Sequence, residues 1–169
     1  MTFEDILYEV RNGVAWITIN RPDKMNAFRG TTCDEIIKAL NKAGYPVDSA
    51  GSAAEAVIAR VQGFAIGGGN VLCTICDLTI CSERAQFGQV GPKMGSVDPG
   101  YGTAFLARVV GEKKAREIWY LNKRYSGQEA VAMGLANVCV PHEQLDAEVQ
   151  QWAETICERS PTAIAIAKR

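Results

Sequence analysis

Gly67, Gly68 and Gly69 stand in a row between an apolar, β-branched run ending at Ala65 and a second apolar run, Asn70 to Cys76. Glycines let a backbone come close to a ligand, and the first amides of a helix point unpaired N–H groups and a partial positive charge outward. A strand, the glycines and a helix in that order could hold an anion or a developing oxyanion. The same spacing also suits a tight packing turn between strand and helix. It lacks the GxGxxG fingerprint of a dinucleotide site.

Ser96 and Asp98 lie two residues apart in the stretch Gly95-Ser96-Val97-Asp98-Pro99-Gly100. A carboxylate there could act as a general base or hold a water. It could also cap a helix, because Asp98 directly precedes Pro99 and proline suits the first helical position. Ser96 then reads as a turn hydroxyl. The one histidine, His142, follows Pro141 where a helix should start, so a capping or surface role is expected and a serine-histidine-aspartate triad is hard to assemble. Cys73 and Cys76 form a CxxC, but no second CxxC or nearby histidine completes four ligands, and no metal or redox role is expected.

These residues need elements to position them. Phe3 to Val10 and Val14 to Asn20 are strand-like, and the Asn12-Gly13 pair between them predicts a β-hairpin. A loop over residues 21–28 follows, then a helix to about Ala43 opened by a capping box of Thr32 and Glu35. Residues 44–56, GYPVDSAGSAAEA, read as a linker. Val57 to Ala65 predicts one strand, Asn70 to Cys76 a buried helix and Leu78 to Ser82 another strand. Phe87 to Tyr101 is a long shaped loop, followed by helices over Gly102 to Val110, Glu112 to Leu121 and Gln128 to Met133. A strand at Ala136 to Val140, a helix at Glu143 to Glu158 and a last helix from Pro161 close the chain. Strands alternating with helices indicate an α/β fold.

Composition narrows the partners. The 169 residues are enough for one domain over 1–169, and a net charge of −1 provides no field to attract nucleic acid or an anionic membrane. Arg108, Lys113, Lys114, Arg116, Lys123 and Arg124 gather locally, but Glu112 and Glu117 interleave, so a solvated helix face is expected before a phosphate contact. Six cysteines, mostly in apolar runs, suggest reduced buried thiols in a cytoplasmic protein. No apolar run reaches the roughly 18 residues that span a bilayer.

Five motifs, in order, carry a family resemblance. They are Asn20-Arg21-Pro22 with Asn26-Ala27-Phe28, Gly63 to Gly69, Cys76-Asp77-Leu78, Phe87-Gly88-Gln89 and Ala132-Met133-Gly134-Leu135. Together they resemble the crotonase (enoyl-CoA hydratase/isomerase) superfamily. Gly91 to Asp98 and Lys113 to Trp119 resemble the branch holding 1,4-dihydroxy-2-naphthoyl-CoA synthase and 2-ketocyclohexanecarboxyl-CoA hydrolase, the second being closer across residues 1–43 and 57–169.

The resemblance implies an α/β fold, the ClpP/crotonase superhelix of repeated ββα turns, and an acyl-coenzyme A thioester as substrate, so that coenzyme A enters as part of the substrate and no covalently bound cofactor or metal is called for. It implies a thioester oxyanion hole of two backbone amides, one at Gly68. Lys24, Asn26 and Ala27 would meet the adenine and phosphate end of coenzyme A, and Phe64, Ala65, Ile66, Gly67 and Gly68 would line the pantetheine and thioester. The two glutamates that handle water in hydratases correspond to Val71 and Gly91, so simple enoyl hydration is not expected. Ser96 and Asp98 match positions that contact the acyl group and serve its chemistry, which implies hydrolytic ring opening of a cyclic 2-ketoacyl-CoA. Ring closure of the naphthoyl-CoA synthase kind is the alternative within the branch.

The departures are equally specific. Where the family carries another strand and the loop with the first oxyanion amide, this chain has only residues 44–56, so the superhelix is expected to be incomplete. Helices that in the family lie beyond the position of Arg169 make trimer contacts and supply a catalytic tyrosine. Neither Tyr101 nor Tyr125 matches its motif. A homo-trimer or hexamer would be weakened, and a catalytically silent coenzyme A binding or assembly protein is the reading from outside enzymology.

Overall fold

Asn12 and Gly13 both take left-handed backbone (φ 48° and 77°), which gives a tight turn the twist its flanking strands require. Strands β1 (Ile6–Arg11) and β2 (Val14–Ile19) pair antiparallel across it, Ile6 opposite Ile19 and Arg11 opposite Val14. Helix α1 (Gly30–Lys42) packs on this hairpin, burying Thr32, Glu35 and Ala39 on one face. The computed structural model describes residues 2–43, 56–98 and 101–168, and the linker expectation for 44–56 falls, apart from Ala56, outside them.

The chain divides into two compact units, Met1–Ala56 with Ala153–Arg169, and Val57–Trp152. The first holds the hairpin, α1 and the C-terminal helix α7 (Pro161–Ala167), whose first turn is capped by the Ser160 hydroxyl accepting from the Ala163 amide at 3.4 Å. The expected Thr32 and Glu35 capping box does not form. The helix begins three residues earlier, with Arg29 as its N-cap, and Glu35 instead accepts from the amides of Glu4 (2.7 Å) and Asp5 (2.8 Å), which β1 has not yet paired.

The second unit has two small sheets. In the first, β3 (Ile58–Val61), β5 (Leu78–Ser82) and β8 (Val138–Val140) run parallel in the order β3-β5-β8. In the second, β4 (Phe64–Ile66) pairs parallel with β6 (Gln86–Gly88), and β6 pairs antiparallel with β7 (Arg124–Ser126). The run Val57 to Ala65, expected as one strand, is therefore two strands in different sheets. The break at Gln62 and Gly63 is held by polar contacts: Ser82 Oγ donates to the Gln62 carbonyl at 3.0 Å and the Gln86 amide to the Gly63 carbonyl at 3.1 Å. β3 and β5 thus leave the first sheet at the same level and continue as β4 and β6 in the second.

This gives two successive ββα turns: β3, β4 and helix α2 (Gly68–Ile75), then β5, β6 and helix α3 (Tyr101–Val110). Helix α4 (Glu112–Leu121), β7, helix α5 (Gly127–Ala132) and β8 follow, and helix α6 (Leu145–Cys157) runs across the boundary between the units. The core of the second unit is one cluster in which Cys81, Phe87, Leu106 and Ile118 are almost completely buried. Alternation along the second sheet puts Ala65, Phe87 and Tyr125 into that core. Of the six thiols, Cys73 and Cys81 are buried, whereas Cys33 and Cys157 are exposed, contrary to a uniformly buried set. Burial pushes the Cys73 thiol far above its ordinary range, which makes Cys73 a poor source of thiolate. Among the described residues no helix is long and apolar enough to cross a membrane.

Candidate active site

The glycine turn takes its shape from Gly67, whose φ of 59° lies in the left-handed region where a side chain is strained. Its amide donates to the Gly88 carbonyl at 2.9 Å, tying the turn to β6, and its carbonyl accepts the first helical bond from the Val71 amide at 3.0 Å. Gly68 and Gly69 are then the first two residues of α2, and amides at these positions have no acceptor within their own helix. They are half-buried, and the helix dipole adds to their pull on negative charge.

A second feature faces α2 from α3. The Gly102 amide, in the first turn of α3, donates to Asp98 Oδ2 at 3.1 Å. Asp98 thus bonds the first turn of α3, but that helix begins at Tyr101, so Asp98 is not the residue directly before the first helical position that the Asp98-Pro99 pair predicts. A Cβ at Gly102 would stand 2.7 Å from that oxygen and 2.9 Å from Val71 Cγ2, so Asp98 and Val71 close on the same spot. The Gly102 carbonyl accepts from the Trp119 indole at 2.9 Å, and the Trp119 ring also lies 3.0 Å from where a Gly91 Cβ would be. That Cβ would meet the Ser96 carbonyl at 2.5 Å, because the loop folds back on Gly91, whose own carbonyl accepts the Ser96 amide at 2.9 Å. The loop over 91–98 is therefore packed against Trp119, with Ser96 exposed and Asp98 half-buried at its end.

In the first unit, Arg21 shapes the loop holding Lys24, Asn26 and Ala27. The Arg21 amide donates to Asn26 Oδ1 at 2.7 Å, the Asn26 amide donates back to the Arg21 carbonyl at 2.8 Å, and the Arg21 guanidinium bonds the Ala27 carbonyl. Met25 and Asn26 are both left-handed, at φ 51° and 56°. All of Lys24, Met25, Asn26 and Ala27 are exposed.

The remaining candidates fall unevenly. Ile66 is half-buried on β4, and the Ala65 side chain belongs to the core, so only its backbone is open to a ligand. Phe64 is 74% exposed and carries the Arg124 guanidinium over its ring at 5.0 Å. The basic cluster spends its charge locally: Lys114 pairs with Glu117 at 3.0 Å and Arg116 with Glu112 at 2.8 Å. Tyr125 donates to Glu117 at 2.9 Å, and burial, then the Glu117 charge, pushes its phenol up to about 12, so it keeps its proton at neutral pH. Gly102 and Trp119 escape a reading of the sequence because neither belongs to a motif with chemistry of its own. Gly102 meets Asp98 through a bond only four positions long, and the packing of α3 on α4 brings Trp119 to the Gly102 carbonyl.

Residues 48–169 match the family described as enoyl-CoA hydratase/isomerase. Solved structures with the same fold include enoyl-CoA hydratase subunit I from Geobacillus kaustophilus HTA426 (TM-score 0.90, 24% identity, covering 98% of this chain and 80% of that one). Enoyl-CoA hydratases from Mycobacterium tuberculosis H37Rv (0.88, 24%) and Mycobacterium avium (0.87, 26%) each cover 98% of this chain and 86% of their own. With a match over most of its length and the crotonase-like arrangement of its ββα turns, the chain belongs to the enoyl-CoA hydratase/isomerase family.

Proposed function

We propose that this protein binds an acyl-coenzyme A thioester and opens a cyclic 2-ketoacyl group by hydrolysis, in the manner of 2-ketocyclohexanecarboxyl-CoA hydrolase. The observation that carries the reading is the meeting of Asp98 and Val71 at Gly102. The similar structures bear the name hydratase, but the positions that correspond to the two hydratase glutamates are Val71 and Gly91, and the space at Gly91 is closed. The acidic group beside α2 is Asp98.

Water adds to the ring ketone carbon and gives its proton to Asp98. The resulting alkoxide collapses to a carboxyl group, breaking the bond to the carbon next to the thioester, and the electron pair passes into a thioester enolate. That enolate takes a proton at carbon to give the ring-opened acid, heavier than the substrate by one water. Its transient negative charge falls on the thioester oxygen, where the Gly68 amide at the start of α2 is most useful because the charge exists only during reaction. Ser96 holds the ketone side of the substrate. Lys24, Asn26 and Ala27 receive the nucleotide end of coenzyme A, and the backbone from Phe64 to Gly68 runs along the pantetheine.

The test is to incubate the protein with 2-ketocyclohexanecarboxyl-CoA and with crotonyl-CoA, following products by mass, and to titrate both calorimetrically. Ring opening that falls about a hundredfold in Asp98→Asn, with thioester binding unchanged, is the expected result. Hydration of crotonyl-CoA at about 10 per second would overturn it. Thioester binding without turnover of either substrate would leave a silent coenzyme A binding protein instead.

A further inference from the structure

We infer that Asp5 and Arg21 are positioning residues, a clamp that holds the loop over residues 22–28 in a strained shape for the nucleotide end of coenzyme A; this rests on the acyl-CoA reading above.

The loop has little reason to hold its shape unaided. Met25 is 95% exposed and left-handed, and Asn26 beside it is left-handed too. Asparagine tolerates that region; Met25 enters it as the cap of the short turn Pro22–Lys24, its amide donating to the Pro22 carbonyl at 3.0 Å, while its side chain buries almost nothing in return. Strained backbone on an exposed loop persists only where its surroundings over-determine it. Here the surroundings are polar. Arg21 ties both ends of the strained pair, through its backbone to Asn26 and through its guanidinium to the Ala27 carbonyl.

Arg21 is itself held by Asp5, its Nε 3.2 Å from Asp5 Oδ1. Asp5 is only 2% exposed and is the hub of the unit. Its carboxylate takes a two-pronged bond from Arg29, at 3.0 Å to each oxygen, and another from the Thr32 hydroxyl. Its carbonyl accepts the Asn20 amide at 2.8 Å and its amide donates to Glu35. One buried aspartate, through its carboxylate and its backbone, thus joins the start of β1, the end of β2, the start of α1 and the loop. The exposed end of this chain of contacts is Lys24 with the backbone of Met25 to Ala27. A cation carried on a backbone that is already held suits a phosphorylated nucleotide, and fixing that backbone before binding spares the entropy of ordering it afterwards.

The experiment measures the affinity of the wild-type protein, Asp5→Asn and Arg21→Lys for two ligands with the same acyl group, an acyl-CoA and the corresponding acyl-pantetheine, which lacks the nucleotide. Asp5→Asn keeps the shape and removes the charge. Arg21→Lys keeps the charge and removes the arm to Ala27. A loop left competent about one time in ten lowers affinity about tenfold, so acyl-CoA binding should weaken by that factor in both variants while acyl-pantetheine binding stays within about twofold. Loosening of the fold as a whole would weaken both ligands alike. Equal losses for the two ligands, or no loss for either, would overturn the clamp. Wild-type protein that binds both ligands equally would overturn the nucleotide reading of the loop itself, and the clamp with it. Circular dichroism confirms folding, and Arg21→Lys decides the matter if Asp5→Asn does not fold.

Discussion

Asp98 and Val71, 27 positions apart in sequence, meet at a single glycine: a Cβ on Gly102 would lie 2.7 Å from the Asp98 carboxylate and 2.9 Å from Val71 Cγ2. The carboxylate gains an amide hydrogen bond from Gly102 and an apolar neighbour in Val71. A glutamate at position 71 would instead confront Asp98 with a second negative charge.

The first prediction follows from that contact. In an exposed helix, alanine is favoured over glycine by about 1 kcal/mol. Gly102→Ala should nonetheless destabilise the protein, by about 1–3 kcal/mol as overpacking does, and should reduce any Asp98-dependent turnover. Urea unfolding and the ring-opening assay measure the two effects. A gain in stability with full turnover would mean that Asp98 swings aside freely and is not held at α3.

Gly91 offers a second test. A side chain there would lie 2.5 Å from the Ser96 carbonyl and 3.0 Å from Trp119, both well placed and neither a flexible end. Gly91→Glu, alone or with Val71→Glu, should therefore yield a destabilised protein without hydratase activity, even though it restores the acidic residue types. Crotonyl-CoA hydration by the double variant, with an unchanged melting temperature, would show that the loop opens readily.

Trp119 links the two glycines. Trp119→Phe deletes the 2.9 Å bond to the Gly102 carbonyl and, with the fused ring, the contact at Gly91. Trp119 is buried, so the loss should be that of one hydrogen bond plus the packing of the atoms removed, about 2–4 kcal/mol. Urea denaturation followed by circular dichroism provides the number. A loss below about 1 kcal/mol would mean that the loop over 91–98 does not rest on Trp119.

Acid should weaken the cluster around Asp5. The Arg29 guanidinium, then the Thr32 hydroxyl, hold its carboxyl down to about 2, against an ordinary value of about 3.9. A carboxyl depressed in the folded state stabilises fully above its unfolded value, and that contribution is lost as pH falls from about 4 to about 2. Melting temperature measured across this range should decline in the wild-type protein. Asp5→Asn, already lacking the contribution, should begin lower and lose less. Parallel curves for the two proteins would mean that the Asp5 cluster is not intact in solution.

What local chemistry alone dictates, the sequence already shows. Asn12-Gly13 specifies a hairpin because only such residues enter a left-handed turn at low cost, and Gly67 to Gly69 mark a strand-to-helix turn for the same reason. Glu112 to Leu121 is a helix from its own periodicity, and the ordered motifs identify the family without any coordinates. Tertiary structure decided what depends on a neighbour far along the chain. Val57 to Ala65 has the composition of one strand, but Ser82 and Gln86 hold a break in it that sends its halves to different sheets. β7 at Arg124–Ser126 is too short and too polar to announce itself and exists because β6 offers it a partner. Glu35 has the spacing of a capping residue and is claimed by the amides of Glu4 and Asp5, 30 positions or more away. Asp98 reads as a cap or a base in sequence. The fold bonds its carboxylate to the Gly102 amide in the first turn of α3 and sets it beside Val71, because a hydrogen bond four residues along is local, whereas the helix packed against it is not.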